Sequence, residues 1–301
     1  MPPLLSPDPQ LSVLATRWQT GWFDFLAIVL ELVALAWYAA AARRLVRSGR
    51  RWSPYAAFSF LLGLAVLAYG YEGGIAYYEK VNFTAHTIQL MLLIAVAPPL
   101  LAGGSPLRLA LLTSRGRPAS ALVRVMRSSW ARVLTHSLTG FILATATMYV
   151  YFLTPLYGIS ERHPVFLAYV HLQFLISGCL MWWPVTGRDV LPQPPGFGWR
   201  FVVMAATVPV VGFLGLELAA LSSPLYPAAN TLADTHQGGN ILWSLMIVFV
   251  VAAVSYLFVE WAREEQRRAV QSDRQLDAAL AAARSVVPVG DDLPSQPGAT
   301  L

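Results

Sequence analysis

Long apolar runs separated by short polar segments dominate the hydrophobic pattern of this chain. A helix that crosses about 30 Å of hydrocarbon needs roughly 20 mostly apolar residues. Seven runs approach that length: residues 23–42, 55–71, 83–101, 137–153, 164–184, 200–220 and 240–261. The pattern therefore predicts an all-α, polytopic membrane protein, built as a bundle of seven transmembrane helices.

The basic residues alternate between the connecting segments, and this alternation predicts the orientation of the bundle. Arginine-rich segments follow the first, third and seventh runs, at residues 43–51, 108–132 and 263–268. The segments on the other side hold few basic residues. Because basic segments stay in the cytoplasm, we expect the N-terminus outside and the C-terminus in the cytoplasm.

The same pattern predicts three segments along the chain. Residues 1–22 form an extracytoplasmic N-terminal segment, and residues 23–261 form the seven-helix transmembrane domain. Residues 262–301 form a cytoplasmic charged helix and a disordered tail that is rich in Pro, Gly and Asp. Ser105 followed by Pro106 predicts the start of a short interfacial helix that contacts membrane lipids.

The composition agrees with a membrane protein and excludes several other classes. Hydrophobic residues make up 56% of the chain and charged residues only 12%. The net charge of +5 comes from arginine clusters between apolar runs, so it indicates topology and no nucleic-acid partner. The single cysteine excludes a disulfide within the chain. No nucleotide-binding loop or nucleophile triad is recognisable, and we predict that the protein is not an enzyme.

Several ionisable side chains gather toward the predicted outer ends of the runs. His86 begins the third run, His171 lies two turns into the fifth, and Asp234, His236 and Gln237 precede the seventh. Buried ionisable groups in a membrane need a partner or a function, and imidazole and carboxylate groups suit transition metals. These residues predict a metal site open to the extracytoplasmic space. A structural hydrogen bond to a neighbouring helix is the alternative for each histidine.

Three short motifs carry a resemblance to a known family. They are Phe83-Thr-Ala-His86-Thr-Ile-Gln89, His171-Leu-Gln-Phe-Leu-Ile-Ser-Gly178 and Leu232-Ala-Asp234-Thr-His-Gln237-Gly-Gly-Asn-Ile-Leu-Trp243. In this order and spacing, within a seven-span topology, they resemble the CtaG family of cytochrome c oxidase assembly proteins. The similarity covers most of the chain, including the charged run that starts at Trp261.

The resemblance implies a multi-pass assembly factor in the bacterial plasma membrane that works with cytochrome c oxidase subunits. It also implies copper, held or delivered at the extracytoplasmic face. His86, His171 and Asp234 match the family's positions, and His236 is added from the residue pattern. The accessory candidates are Gln89, Gln173 and Gln237.

The chain departs from the family pattern at two positions. Leu90 stands where the family usually has a second histidine after the glutamine, and Gln173 stands where it usually has the second histidine of a His-x-His motif.

Two other functions stay open. One is a membrane transporter of copper or another small solute, which Glu31 and the prolines inside the runs permit. The other is a haem-binding electron carrier, which needs histidine pairs on facing helices.

Overall fold

The structure is a computed structural model that describes residues 10–19, 21–227 and 230–286. The described residues form helices and contain no strand, so the all-α prediction is confirmed. Six helices are long and apolar enough to cross a membrane, and Ser137–Leu153 is a shorter apolar helix. The chain is a multi-pass membrane protein. The count of seven spans and the orientation of the termini stay predictions.

The helices follow one another with short connections. In chain order they are α1 (Leu11–Thr16), α2 (Trp22–Arg47), α3 (Pro54–Glu72), α4 (Gly74–Tyr78), α5 (Phe83–Met91), α6 (Ala97–Gly103), α7 (Pro106–Thr113), α8 (Arg117–Met126), α9 (Ser129–Leu134), α10 (Ser137–Leu153), α11 (Leu156–Ser160), α12 (Pro164–Thr186), α13 (Phe197–Ala219) and α14 (Leu232–Val286). A π-helical turn, Leu92–Val96, joins α5 to α6.

The chain divides into two compact units, residues 1–257 and residues 258–301. The second unit contains the charged end of α14, where Arg268 Nε lies 3.4 Å from Glu264 Oε1 one turn earlier. The tail after residue 286, which the sequence predicts to be disordered, lies outside the described residues. So do residues 1–9 of the predicted N-terminal segment.

The start of α7 agrees with the sequence in position but differs in its cap. The helix begins at Pro106, as expected, but the side chain of Ser105 makes no capping hydrogen bond. Asp189, after α12, accepts hydrogen bonds from the backbone N–H groups of Leu107 (2.9 Å) and Arg108 (2.7 Å). The cap therefore comes from a residue distant in sequence, which also ties α7 to the end of α12.

Helix α12 packs closely against the π turn and α6 in the main hydrophobic core. A Cβ atom at Gly178 would lie 2.5 Å from the carbonyl oxygen of Ile94 and 2.9 Å from Cγ of Pro98. Gly140 of α10 lies equally close to the backbone of Leu180, on another face of α12. Small residues at such crossings let helix backbones approach in membrane proteins. They place α5, α10 and α12 next to one another, which positions the site described below.

The N-terminal residues 10–19 pack over α4. The backbone N–H of Gln10 donates to the hydroxyl of Tyr78 at 3.1 Å, and the side-chain amide of Gln19 donates to the carbonyl of Ala76. Val13 and Leu14 lie against the buried residues of α4. This packing fixes α4 and the short loop that follows it.

A carboxylate from α14 fixes the start of α5. Asp234 accepts hydrogen bonds from the backbone N–H groups of Phe83 (2.6 Å) and Thr84 (3.0 Å) and from the hydroxyl of Thr84 (2.7 Å). These N–H groups have no partner within their own helix. Asn82 adds a further cap by accepting from the N–H of Ala85 at 2.7 Å. Because His86 lies one turn later, Asp234 indirectly sets the position of His86.

We expect Asp234→Ala to lower the free energy of unfolding by about 1–3 kcal/mol, because it leaves buried donors without an acceptor. Asp234→Asn, which keeps one side-chain oxygen, should lose less. Unfolding of both variants in detergent, followed by circular dichroism, measures the effect. Equal stability of Asp234→Ala and the unmodified protein would contradict the capping role.

We expect Gly178→Ala to destabilise the bundle by about 1–3 kcal/mol, because overpacking forces helices apart. Gly212→Ala in α13 is the matched control, since a Cβ atom there meets nothing within 4 Å. Thermal unfolding midpoints of the two variants in the same detergent provide the comparison. A midpoint of Gly178→Ala at or above that of Gly212→Ala would refute the close helix contact.

Candidate metal centre

Three potential ligands meet near the beginnings of α5 and α12. Glu79 lies in the loop after α4, His86 lies in the first turns of α5, and His171 lies two turns into α12. One ligand atom from each residue lies within 4.8 Å of the other two. The exposed fractions of Glu79, His86 and His171 are 6%, 0% and 5%. The ligand cluster, as we call these three residues, is therefore buried.

Each residue of the ligand cluster has a buried side-chain atom without a hydrogen-bond partner. Glu79 Oε2, His86 Nδ1 and His171 Nε2 are buried, and none has a hydrogen bond within the described part of the chain. Glu79 Oε2 and His171 Nε2 are 3.5 Å apart, a separation that makes an ion pair only when the imidazole is protonated. Buried polar atoms in proteins nearly always have a partner. A cation shared by the three side chains would supply one.

A chain of hydrogen bonds orients the ring of His86. Its Nε2 lies 2.9 Å from the hydroxyl of Tyr151, which lies 2.9 Å from the hydroxyl of Ser160. Ser160 donates to the carbonyl oxygen of Tyr157 at 2.7 Å. Because that carbonyl can only accept, each donor along the chain is assigned: Ser160 accepts from Tyr151, and Tyr151 accepts from Nε2–H of His86. Nδ1 of His86 then carries the lone pair that can bind a cation.

Aromatic rings enclose the two histidines. The ring of Tyr71 meets His171 edge-on with centroids 5.5 Å apart, and the ring of Tyr157 lies 5.5 Å from that of His86. The imidazoles themselves are 6.2 Å apart, centroid to centroid. Ligands packed in this way are held in place before any metal arrives, and the hydrophobic surroundings limit the access of water.

Burial changes the pKa of two carboxyl groups that lie outside the membrane spans, those of Glu79 and Glu161. Burial raises the pKa of Glu79 to about 7, against the opposing influence of the Gln89 amide and the positive charge of Lys80. Burial also raises the pKa of Glu161 to about 8, and the nearby charge of Glu79 adds to the shift. Two carboxyl groups therefore share one poorly solvated region, where a bound cation would stabilise their ionised forms.

Two predicted ligands, His86 and His171, come together, and two lie elsewhere. The carboxylate of Asp234 accepts hydrogen bonds from the N–H groups at the start of α5. His236 Nε2 lies 2.8 Å from the carbonyl oxygen of Leu221. Neither belongs to the ligand cluster. Among the accessory candidates, Gln89 adjoins the cluster, and its amide donates to the carbonyl of Gly70 at 2.9 Å. A metal role for any of these residues stays a prediction.

The remaining predicted positions, Gln173 and Gln237, have surroundings of their own, and so does Leu90. Gln173 donates to the hydroxyl of Thr147 at 3.2 Å and lines a crevice of about 290 Å³ that residues of α10 and α12 share. Gln237 is exposed on α14. Leu90, one turn after His86, is fully buried in the main core. The glutamine and leucine that depart from the family pattern thus serve helix packing in this chain.

Glu79 is a ligand candidate that the sequence pattern does not predict. This residue lies in a short loop outside the apolar runs, so its ionisable group needed no explanation there. A signal was available, since the loop from Glu79 to Asn82 is only four residues long and leads directly into the turn that carries His86. A loop this short keeps its acidic residue close to the next helix.

Comparison with known proteins identifies the family. The sequence model of the cytochrome c oxidase caa3 assembly factor family (Caa3_CtaG) matches residues 36–264. The chain is 30% identical over 291 residues to uncharacterized proteins Mb0105 of Mycobacterium bovis and MT0111 of Mycobacterium tuberculosis, covering 91% of this chain and 44% of each relative. It is also 30% identical over 283 residues to uncharacterized protein ML1998 of Mycobacterium leprae, covering 88% of this chain and 43% of the relative.

These matches span less than half the length of the mycobacterial proteins. No solved structure matches the chain. The family model covers the ligand cluster and all three sequence motifs, so the resemblance drawn from those motifs is confirmed. This chain belongs to the cytochrome c oxidase caa3 assembly factor family.

Proposed function

We propose that this protein is an assembly factor for cytochrome c oxidase in the bacterial plasma membrane, and that it holds copper at Glu79, His86 and His171 for transfer to an immature oxidase subunit. Membership of the family supports the oxidase as partner. The observation behind the metal proposal is that each of these buried side chains offers a ligand atom within 4.8 Å of the other two, and that each also has a polar atom without a hydrogen-bond partner.

The donor atoms fit a first-row transition metal. Two imidazole nitrogens and one carboxylate oxygen suit both copper and zinc, and among divalent ions such sites bind copper most tightly. The resemblance to a family implicated in copper supply favours copper. The metal is cargo in this proposal, so the ligand cluster must release it as well as bind it. Three ligands leave room for a ligand from the receiving protein.

The position of the ligand cluster suits delivery at the membrane surface. It lies at the end of the bundle where the connecting segments hold few basic residues, which the topology predicts to be extracytoplasmic. Glu161 follows α11 at the same end, and its charge interacts with that of Glu79. We propose that Glu161 attracts the cation toward the buried ligands without binding it in the final site.

A holding role is better supported than transport or haem binding. Thr87 and Gln89 are buried beyond His86, but from Leu90 onward the buried residues that the structure describes in α5 and the π turn are all apolar, so a polar path does not continue along this segment. The rings of Tyr151 and Tyr157 pack on His86, with centroids 5.9 and 5.5 Å away, where a porphyrin plane would need space. We therefore propose a non-catalytic metal carrier.

We expect the purified protein to bind about one copper ion per chain, and the His86→Ala, His171→Ala double variant to lose it, because removing two ligands from a three-ligand site abolishes chelation. His163→Ala is the matched control, since His163 is an exposed histidine at the same end of the bundle. Titrations with Cu(I) under reducing conditions, with Cu(II) and with Zn(II) measure the metal preference.

The outcomes separate the predicted ligands. No copper above background in the unmodified protein would refute the holding role, and a scaffold role in oxidase assembly would replace it. Retention of copper by the double variant, with loss in His236→Ala, would move the site to the start of α14. We expect His236→Ala to keep its copper, because His236 lies outside the ligand cluster.

We expect Tyr151→Phe to weaken copper binding by about 10–100-fold, because metal-bound histidines depend on the group that orients their other ring nitrogen. Tyr149→Phe is the matched control: the Tyr149 hydroxyl donates to the carbonyl of Val210 at 2.6 Å on the same helix, away from His86. Competition with a chromophoric chelator gives both affinities. Equal affinities in the two variants would contradict the orienting role of Tyr151.

A further inference from the structure

A strongly basic pocket lies at the opposite end of the bundle from the ligand cluster. It has a volume of about 310 Å³ and includes four arginines, Arg50, Arg51, Arg108 and Arg188, with Trp52 between them. These arginines come from three separate segments: the connection between α2 and α3, helix α7, and the residues after α12. No Asp or Glu is among the residues that line the pocket. The basic pocket therefore favours an anionic group.

An apolar crevice continues from the basic pocket into the bundle. It has a volume of about 380 Å³, and Ala95, Leu100, Val185 and Ala252 are among its lining residues. The crevice and the basic pocket share Arg188 and Gly103. The two cavities therefore form one composite site with a charged end and an apolar end.

Arg188 lies at the junction of the two cavities in a defined orientation. Its guanidinium carbon lies 4.6 Å from the ring centre of Tyr55 and 5.4 Å from that of Tyr256. Its Nε donates to the hydroxyl of Tyr256 at 2.8 Å. Aromatic rings that sandwich an arginine hold its charge in place. These contacts fix the Arg188 side chain where the basic pocket meets the apolar crevice.

The acidic residue next to Arg188 in sequence has other partners. Asp189 is 8% exposed and accepts hydrogen bonds from the N–H groups of Leu107 and Arg108 and from the indole of Trp183. Its carboxylate thus serves the start of α7 and lines neither cavity. The positive charge that would bind a ligand in the basic pocket therefore rests on Arg50, Arg51 and Arg108.

We propose that this composite site binds an anionic phospholipid, with the phosphate in the basic pocket and one acyl chain in the apolar crevice. Basic pockets between transmembrane helices on the cytoplasmic side are suited to anionic headgroups. The topology predicts that this end faces the cytoplasm. The crevice distinguishes a lipid from free phosphate, because a soluble anion gains nothing from apolar walls. The inference is independent of the copper proposal.

The test is native mass spectrometry of the detergent-purified full chain with added phosphatidylglycerol or phosphatidylcholine. We expect one phosphatidylglycerol to remain bound under conditions that remove phosphatidylcholine. The Arg50→Gln, Arg51→Gln variant should bind phosphatidylglycerol about 30-fold more weakly, since each nearby arginine contributes about 1 kcal/mol to anionic lipid binding. Arg43→Gln, Arg44→Gln is the matched control, because both arginines are exposed and line neither cavity.

A second pair of variants tests the acyl chain. Ala252→Phe should block the crevice and reduce lipid retention, whereas Val251→Phe, at an exposed neighbouring position outside the crevice, should not. Equal retention of the two lipids by the unmodified protein would overturn the proposal. So would equal losses in the two arginine variants. Binding of glycerol phosphate as tightly as the whole lipid would also overturn it, by reducing the site to one for phosphate alone.

Discussion

The hydrogen-bonding of polar atoms inside an apolar bundle is the constraint on which the site depends. Tyr151 of α10 and Ser160 of α11 connect His86 of α5 to a backbone carbonyl, so three helices cooperate to orient one imidazole. Asp234 of α14 satisfies the first N–H groups of α5. Among the buried polar atoms that remain without a partner, three belong to Glu79, His86 and His171, the residues that bring potential ligand atoms within 4.8 Å of one another.

The sequence predicts the helical class and the region of the site better than it predicts which residues form the ligand cluster. His86 and His171 could be placed at the same membrane face, because each lies within two turns of that predicted face, but only the packing of the helices shows that they meet. Glu79 lies in a loop outside the apolar runs, where a carboxylate is usually solvated, and only the shortness of that loop indicates that it stays close to His86. The role of Asp234 as a cap could not be predicted either, since its partners are 150 residues away in sequence and only the packing of α14 against α5 brings them together.

The cap at α7 illustrates the same difficulty at the other end of the bundle. Ser105 before Pro106 has the residue types of a local cap, yet Asp189 supplies the carboxylate from the end of α12. The residue types at a helix start indicate where the helix begins. Tertiary contacts decide which side chain accepts the hydrogen bonds of its first N–H groups.

The two ends of the bundle differ in chemistry. One gathers neutral nitrogen and carboxylate ligands, and the other gathers guanidinium groups over an apolar crevice.

The π turn at Leu92–Val96 separates the helix that carries His86 from the segment that packs on Gly178. A π turn contains one residue more than the α-helical path, and one residue corresponds to a rotation of about 100°. Loss of a single residue within this turn would turn the His86 face away from α12 while α6 stayed in its groove. A shift of one residue in this turn would therefore dismantle the ligand cluster without altering any of its three side chains.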